Sequence, residues 1–456
     1  MPRSSKPKFD IRSLAIEFAA TSSLIPFKNN PRDHDKNHVA DIAESVNEFG
    51  MLIPILTDNH NVIIAGHGTL LACQAEGLDE VPVIRVGHLS DAQKIALRIA
   101  HNRLCETGKW DMDRLASNFE ILYDQELSFD LTITGFDTGE IDVARLGGKD
   151  SIKTRAKAAA ELAETVELPA TSAVAISRLG DRFMIDRHVV VCGDARDPAA
   201  YDLALGGQRA DAAIHDPPYN TKIKNNVSGG GKKKHDDFIM GSGEMDREAF
   251  RSFIEQATAL QLGHSKPGAY NCMFTGWYSM HDMLEAASRV FAALSHICIW
   301  AKTNGSMGSP WRNSWEGILV HHNNDGKRRD NIRLGKFGRN RLDVFNYAGV
   351  NTFRAGRMEE LDAHPTCKPV PLLADLILDV TPIGGLVLDS FLGSGATILG
   401  AHEAKRCGVG IELDPKYVDV ALRRIEQVTG KKAIHSSGLT LDELAQARRT
   451  GDKGDR

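Results

Sequence analysis

Residues 385–414 run GLVLDSFLGSGATILGAHEAKRCGVGIELD. An apolar run ends on a carboxylate, Asp389. Gly393 and Gly395 follow at once, then a stretch of helical character, then a second apolar run ending on Glu412. Strand, tight turn, helix, strand is half of a nucleotide-binding α/β unit. The glycines let the backbone approach a ligand, and an acidic residue about 20 positions on can hold ribose hydroxyls. The dinucleotide fingerprint is not met, because its third glycine is missing. Taken alone, the stretch fits a tight turn without a ligand equally well.

The same alternation extends upstream. DRFMIDRHVVVCGD reads as a hairpin, and ADAAIHDPPY as a strand that breaks at two prolines. A helix is predicted near 247–262, a strand at AYNCMFTG, a helix near 279–294 and a strand at SHICIWAK. Such alternation predicts a mostly parallel, doubly wound sheet. Residues 303–365, rich in Asn, Gly and Arg, break the pattern, which resumes with the helix PVPLLADLILDV.

Ahead of this region a smaller α/β unit is expected. HVADIAESVNEFGM has helical apolar spacing at Val39, Ile42, Val46 and Phe49, with Gly50 as the stop. LIPILTD and NVIIAG read as short strands, GTLLACQAEGL as a helix and EVPVIRV as a strand. Ser90 is the expected N-cap of LSDAQKIALRIAHNRL. The domain expectation is a leader at 1–21, a first domain with a helical extension at 22–146, and an Ala/Lys/Glu-rich linker at 147–178. A second domain at 179–432 and a tail at 433–456 complete it.

In an open parallel sheet the carboxyl ends of strands line the ligand crevice. Asp194 after VVVC, Asp216 after ADAAIH, the glycine turn and Glu412 are therefore expected on one edge. Asp194 by itself is more readily a solvated turn. The net charge of −5 gives no global sign of nucleic acid, so such a partner must be sought in local clusters. The seven cysteines are scattered without a C-x-x-C pair, which indicates reduced thiols and neither a zinc ribbon nor a disulfide framework. No metal site is expected. The N-terminus lacks a signal-peptide core and no segment has the apolar length of a membrane span, so a cytoplasmic location is expected.

DPPY at Asp216–Tyr219, HPTCKP at 364–369 and DSFLGSGAT at 389–397 together resemble the S-adenosylmethionine-dependent DNA amino-methyltransferases over residues 179–428. The catalytic motif precedes the cofactor loop, a circularly permuted order similar to the beta group of that family. Ser390 stands where proline is usual and Ala396 where threonine is usual. The resemblance implies a Rossmann-like doubly wound methyltransferase sheet, preceded by the small α/β domain. It implies methyl transfer from S-adenosylmethionine to a base amine of double-stranded DNA, after the base is flipped out. DPPY favours adenine N6, and cytosine N4 is the alternative.

The implied roles follow residue by residue. Asp216 and the Pro217 carbonyl accept the amine hydrogens, with Pro218 stiffening the turn, and Tyr219 stacks on the base. Glu412 takes the ribose hydroxyls and Asp194 the adenine amine of the cofactor. Asp389, Phe391, Gly393, Ser394 and Gly395 form its loop, and Thr366 and Lys368 hold its carboxylate. A helix-flanking surface lysine is the alternative for Lys368. His215 is expected to pack rather than to act as a base. Within HHNNDGKRRDNIRLGKFGRNR, Lys327, Arg328, Arg329, Arg333, Lys336, Arg339 and Arg341 are candidate DNA contacts in a target-recognition insert at about 303–363. Lys232, Lys233 and Lys234 lie in a loop that closes over the DNA or is simply a surface loop. The beta-group resemblance also allows a homodimer, and it names no restriction partner.

Residues 22–104 resemble the ParB-like (ParB/sulfiredoxin) domain. Gly66, His67 and Gly68 offer backbone amides at a helix start, but Thr69 replaces the usual phosphate-clamping arginine. A DNA-docking or partner-docking role is therefore expected in place of nucleotide turnover or nuclease action, with a nucleotide-switching DNA-binding protein carrying an accessory methyltransferase domain as the alternative, and His67 is expected to be structural or vestigial.

Overall fold

In the computed structural model of the protein, the described residues are 14–123, 125, 127, 129–146, 174–220, 240–241, 243–302, 305, 311–323, 326, 328, 330–331, 341–348 and 368–451. They divide into two compact units, Met1–Asp137 and Thr138–Arg456. Among them no helix is long and apolar enough to cross a membrane.

The first unit holds β1 (Ile16–Ala20), α1 (Lys36–Phe49), β2 (Ile55–Thr57), β3 (Ile63–Ala65), α2 (His67–Ala75), β4 (Glu80–Arg85), α3 (Asp91–Thr107) and α4 (Met112–Tyr123). Its sheet has the order β1-β4-β2-β3. Leu24, Ile55, Ile63, Leu70, Val81 and Val83 form its core. Helix ends are set locally. The Asp35 carboxylate accepts the His38 amide at the start of α1, and Gly50, at φ 77°, closes that helix. Ser90 and Gln93 cap α3 reciprocally. β1 lies inside the expected leader, where it pairs antiparallel with β4. Ile16 and Phe18 stay exposed on this edge strand, so IEFAA lacks the apolar density that would have marked it.

The second unit begins with α5 (Thr138–Leu146). It continues through β5 (Arg182–Ile185), β6 (His188–Cys192), α6 (Pro198–Leu205), β7 (Ala210–His215), α7 (Arg247–Gly263), β8 (Ser265–Thr275), α8 (Met280–Ser288), β9 (Leu294–Ala301), β10 (Trp315–His322) and β11 (Val344–Asn346). It ends with α9 (Val370–Val380), β12 (Leu386–Asp389), α10 (Ala396–Glu403), β13 (Cys407–Glu412), α11 (Pro415–Thr429), β14 (Ile434–His435) and α12 (Leu441–Gly451). Ten strands form one sheet in the order β11-β9-β10-β8-β7-β12-β13-β6-β5-β14. Strands β8, β7, β12, β13 and β6 are mutually parallel.

Alternate residues face opposite ways along each strand. Val190, Ala212, Ile214, Cys272 and Phe274 pack toward α9, α10 and α11. Val189, Val191, Ala213, Leu388 and Val409 pack toward α6. Met273 and Leu319 meet α7 and α8. Both faces are covered, which is why these strands read as unbroken apolar runs. This is the doubly wound sheet expected from the alternation.

Three expectations about the second unit change. The 303–363 insert contains two strands of the sheet, and β10 lies between β9 and β8, antiparallel to both. Asn- and Arg-rich flanks had hidden the run EGILV within WEGILVHH. The expected tail is packed: Ala433, Leu441 and Leu444 lie in the core, and Arg448 binds Asp181 at 2.6 and 2.8 Å. Finally, α5, expected as an extension of the first domain, belongs to the second unit. The Asp142 carboxylate accepts from Arg406 Nη1 at 2.9 Å and Nη2 at 2.8 Å, with both side chains fully buried. Arg406 also donates to the Thr381 carbonyl at 2.9 Å.

Removing one partner of a buried ion pair leaves the other charge uncompensated, which costs about 3–5 kcal/mol. Asp142→Ala should therefore destabilise the second unit by about that amount, measured by urea unfolding of the full chain. An unchanged transition would show that α5 is not integral to this core.

Candidate active site

Strand β7 is buried throughout and delivers Asp216 to the edge of the sheet. Pro217 and Pro218 end the strand there, since they have no amide to donate. The chain is wedged from outside by Gly241, at φ 76°, where a Cβ would stand 2.7 Å from the Pro218 ring. Tyr219 is fixed through its carbonyl, which accepts from Ser279 Oγ at 2.8 Å.

Asp216 is held by donors on both oxygens. Tyr219 Oη donates to Oδ1 at 2.6 Å, and Lys368 Nζ donates to Oδ2. Lys368 Nζ also lies 3.2 Å from Glu316 Oε2, and Tyr219 Oη lies 3.4 Å from the same oxygen. Lys302 Nζ, at the end of β9, occupies the other Glu316 oxygen. Two carboxylates and two ammonium groups thus share one half-closed pocket. Burial would raise Glu316, but Lys368 and Lys302 overcome it and hold the group down to about 2. Asp216 is raised by burial, against the pull of Lys368. Sequence reasoning gave Lys368 to the cofactor carboxylate; the structure has it on Asp216. Glu316 and Lys302 were missed. Lys302 directly follows β9 as Asp216 follows β7, but Glu316 is the second residue of β10, and only antiparallel strand pairing brings it to the same edge.

Along the same edge, β12 ends at Asp389, whose Oδ1 accepts the Phe391 amide at 2.9 Å. Gly393 and Gly395 both have positive φ, and a Cβ on Gly395 would sit 3.2 Å from Ala421. The Glu412 carboxylate, at the end of β13, accepts the Gly393 amide at 2.7 Å and the Asp414 amide at 2.8 Å. Asp194 follows β6 and is chelated by Arg196 through the backbone amide at 2.8 Å, Nε at 3.1 Å and Nη2 at 2.6 Å. Ser394 is buried and its hydroxyl accepts from Arg424 at 3.2 Å, so it serves the interior of the loop.

The remaining candidates divide as follows. His215 is buried without a hydrogen-bond partner on either ring nitrogen, and burial followed by His321 lowers it to about 3. It packs, with its ring 6.0 Å from Phe391. Arg341 is tied to Asp379 Oδ1 at 2.8 Å and to Asp375, so its charge is satisfied on α9 and does not point to DNA. Arg328 is exposed. Thr366, Lys232, Lys233, Lys234, Lys327, Arg329, Arg333, Lys336 and Arg339 lie outside the described residues. Trp277 and Tyr278 stand exposed beyond β8, and the Tyr278 ring is 6.3 Å from Tyr219.

Asp186, His188 and His402 are close enough together to suggest a metal site. However, His188 Nδ1 accepts the Gly408 amide at 2.9 Å, so the neutral ring carries its proton on Nε2, 3.2 Å from His402 Nδ1. The two rings satisfy each other. In the first unit, Gly66 enters α2 at φ 101°, and His67 Nε2 accepts the Phe27 amide at 3.2 Å. Burial lowers His67 to about 4, which fits a structural residue.

Residues 210–423 match the DNA methylase family, and residues 8–103 match the ParB N-terminal domain. Type II methyltransferase M.ScaI of Streptomyces caespitosus is 35% identical over 100 residues, 22% of this chain and 33% of that protein. The chain thus matches about a third of that relative's length. DNA adenine methyltransferase YhdJ of Escherichia coli (strain K12) is 27% identical over 291 residues, 59% of this chain and 92% of YhdJ. The ParB-like nuclease domain-containing protein YnaK of the same organism is 40% identical over 81 residues, 18% of this chain and 93% of YnaK.

Burial, more than any neighbour, pushes both Asp389 and Glu412 up to about 7. A carboxyl raised above its unfolded value stabilises the fold below the unfolded pKa, and that contribution is lost as pH rises through the folded one. Relative to Glu412→Gln, the ligand-free wild type should therefore lose thermal stability between about pH 5 and pH 8, read by calorimetry. A constant difference across that range would rule out titration of Glu412 there.

Proposed function

We propose that this chain, whose residues 210–423 match the DNA methylase family and residues 8–103 the ParB N-terminal domain, transfers a methyl group from S-adenosylmethionine to the N6 amine of adenine in DNA. The observation that carries this is one sheet edge with two neighbouring halves: Asp216 with Tyr219 at β7, and the glycine turn with Glu412 at β12 and β13. Likeness to YhdJ and the DPPY motif support adenine.

The cofactor half suits S-adenosylmethionine. The close approach of Gly395 to α11 leaves a turn without side-chain bulk, and the anchored Glu412 carboxylate retains lone pairs for ribose hydroxyls. S-adenosylmethionine supplies an electrophilic methyl carbon on its sulfonium. The chain supplies the nucleophile's activation. An exocyclic amine is unreactive while its lone pair is delocalised into the ring. Acceptors at Asp216 and the Pro217 carbonyl turn the amine toward tetrahedral geometry and free that pair. Catalysis is mostly positioning and charge placement. Trp277 and Tyr278 offer exposed rings on which bases unstacked by flipping can rest. The ParB-like unit serves as a docking module, since Thr69 stands where a phosphate clamp would need arginine.

Incubation of duplex DNA with labelled S-adenosylmethionine tests the proposal. Asp216→Ala should lose transfer by at least about a hundredfold while still binding the cofactor. A folded, cofactor-bound wild type that methylates no DNA would sink the proposal. Sequencing the modified DNA separates N6-methyladenine from N4-methylcytosine and reports the site, and N4-methylcytosine alone would overturn the choice of base.

A further inference from the structure

Asp216 has both oxygens engaged by protein donors, Tyr219 Oη on Oδ1 and Lys368 Nζ on Oδ2. An acceptor in that state is poorly prepared for a substrate amine. The ammonium on Oδ2 drains the oxygen's acceptor strength, and it would stand beside an amine that gains positive charge as the methyl arrives. Some other group must take these two donors. One oxygen lies near both of them. Glu316 Oε2 is 3.2 Å from Lys368 Nζ and 3.4 Å from Tyr219 Oη, while Lys302 anchors the opposite oxygen, Oε1.

We infer that Glu316 is a positioning residue that receives Lys368 and Tyr219 when the base amine displaces them from Asp216. The inference rests on the methyltransferase reading of the site. Glu316 comes from β10, and its partner Lys302 comes from the end of β9, so the hand-off is built on sheet strands with little freedom to drift. Its carboxylate is held ionised by the two lysines that face it, against burial. The exchange breaks no covalent bond. The hydrogen bonds to Asp216 are given up, the contacts that Lys368 and Tyr219 already make with Glu316 Oε2 become their principal ones, and the pocket keeps its balance of two carboxylates and two ammonium groups. Without Glu316, Lys368 has Asp216 as its only carboxylate within reach among the described residues.

The test uses the full chain, duplex DNA and labelled S-adenosylmethionine, with Glu316→Gln and Glu316→Asp beside the wild type. Glu316→Gln should lower kcat by about 10- to 100-fold and leave the cofactor Kd within about threefold. Its pH profile carries a signature that a loosened structure would not give. Among the described residues, the titratable and charged groups facing Asp216 are Lys368, Glu316, Tyr219 and Asp389, with Lys302 behind Glu316. Because the charge on Glu316 helps to hold Asp216 up, its removal should move the acid limb of kcat to lower pH. Glu316→Asp keeps the charge but retracts the oxygen, so kcat should fall with the acid limb unmoved. It decides the matter alone if the Gln variant does not fold. Wild-type kcat in either folded variant overturns the inference, as does a loss in Glu316→Gln with no shift of the acid limb. An inactive wild type instead sinks the methyltransferase reading beneath it.

Discussion

Backbone hydrogen bonding among β7, β12, β13 and β6 forces four chain exits onto one edge of the second unit. Each exit carries a carboxylate: Asp216, Asp389, Glu412 and Asp194. A parallel sheet buried on both faces leaves its strand ends as one of the few places where polar groups can emerge together. The chemistry is therefore an outcome of strand register. A slip of one residue in β7 would turn Asp216 to the other face and bring Tyr219 with it.

Gathering carboxylates costs desolvation and mutual repulsion, and the unit offsets this differently at each exit. Asp194 takes a guanidinium from two residues away. Glu412 and Asp389 take backbone amides. Asp216 takes an ammonium and a phenol, then shares them with a second carboxylate from an antiparallel strand. Only the last arrangement joins two of the pocket's carboxylates through shared donors, and it lies where the DPPY turn opens the sheet edge.

What was legible in the sequence is what is written in contiguous residues. The strand exit at Asp216 to Tyr219 and the Gly393–Gly395 turn could be placed because covalent geometry fixes such features within a few residues. Ser90 and Gly50 could be read for the same reason. Glu316 could not, because its meaning comes from pairing β10 with β8 and from Lys368, 52 positions along the chain. Arg341 looked like a DNA contact because charge counts do not reveal that Asp375 and Asp379 stand one helical turn apart on a buried helix. The C-terminal stretch looked like a tail because its buried apolar residues, Leu441 and Leu444, are few and lie among charges.

The Asp142–Arg406 pair bears on how such a chain can be taken apart or assembled from pieces. Composition invites a cut within the Ala- and Lys-rich stretch after residue 146, and the family match invites one at residue 210. A cut at either position strands Arg406, a fully buried guanidinium, without its carboxylate. The later cut also discards β6 and Asp194 with it. The transferable piece therefore begins at α5. Any fusion, natural or engineered, that moves the second unit onto another domain must carry that helix along.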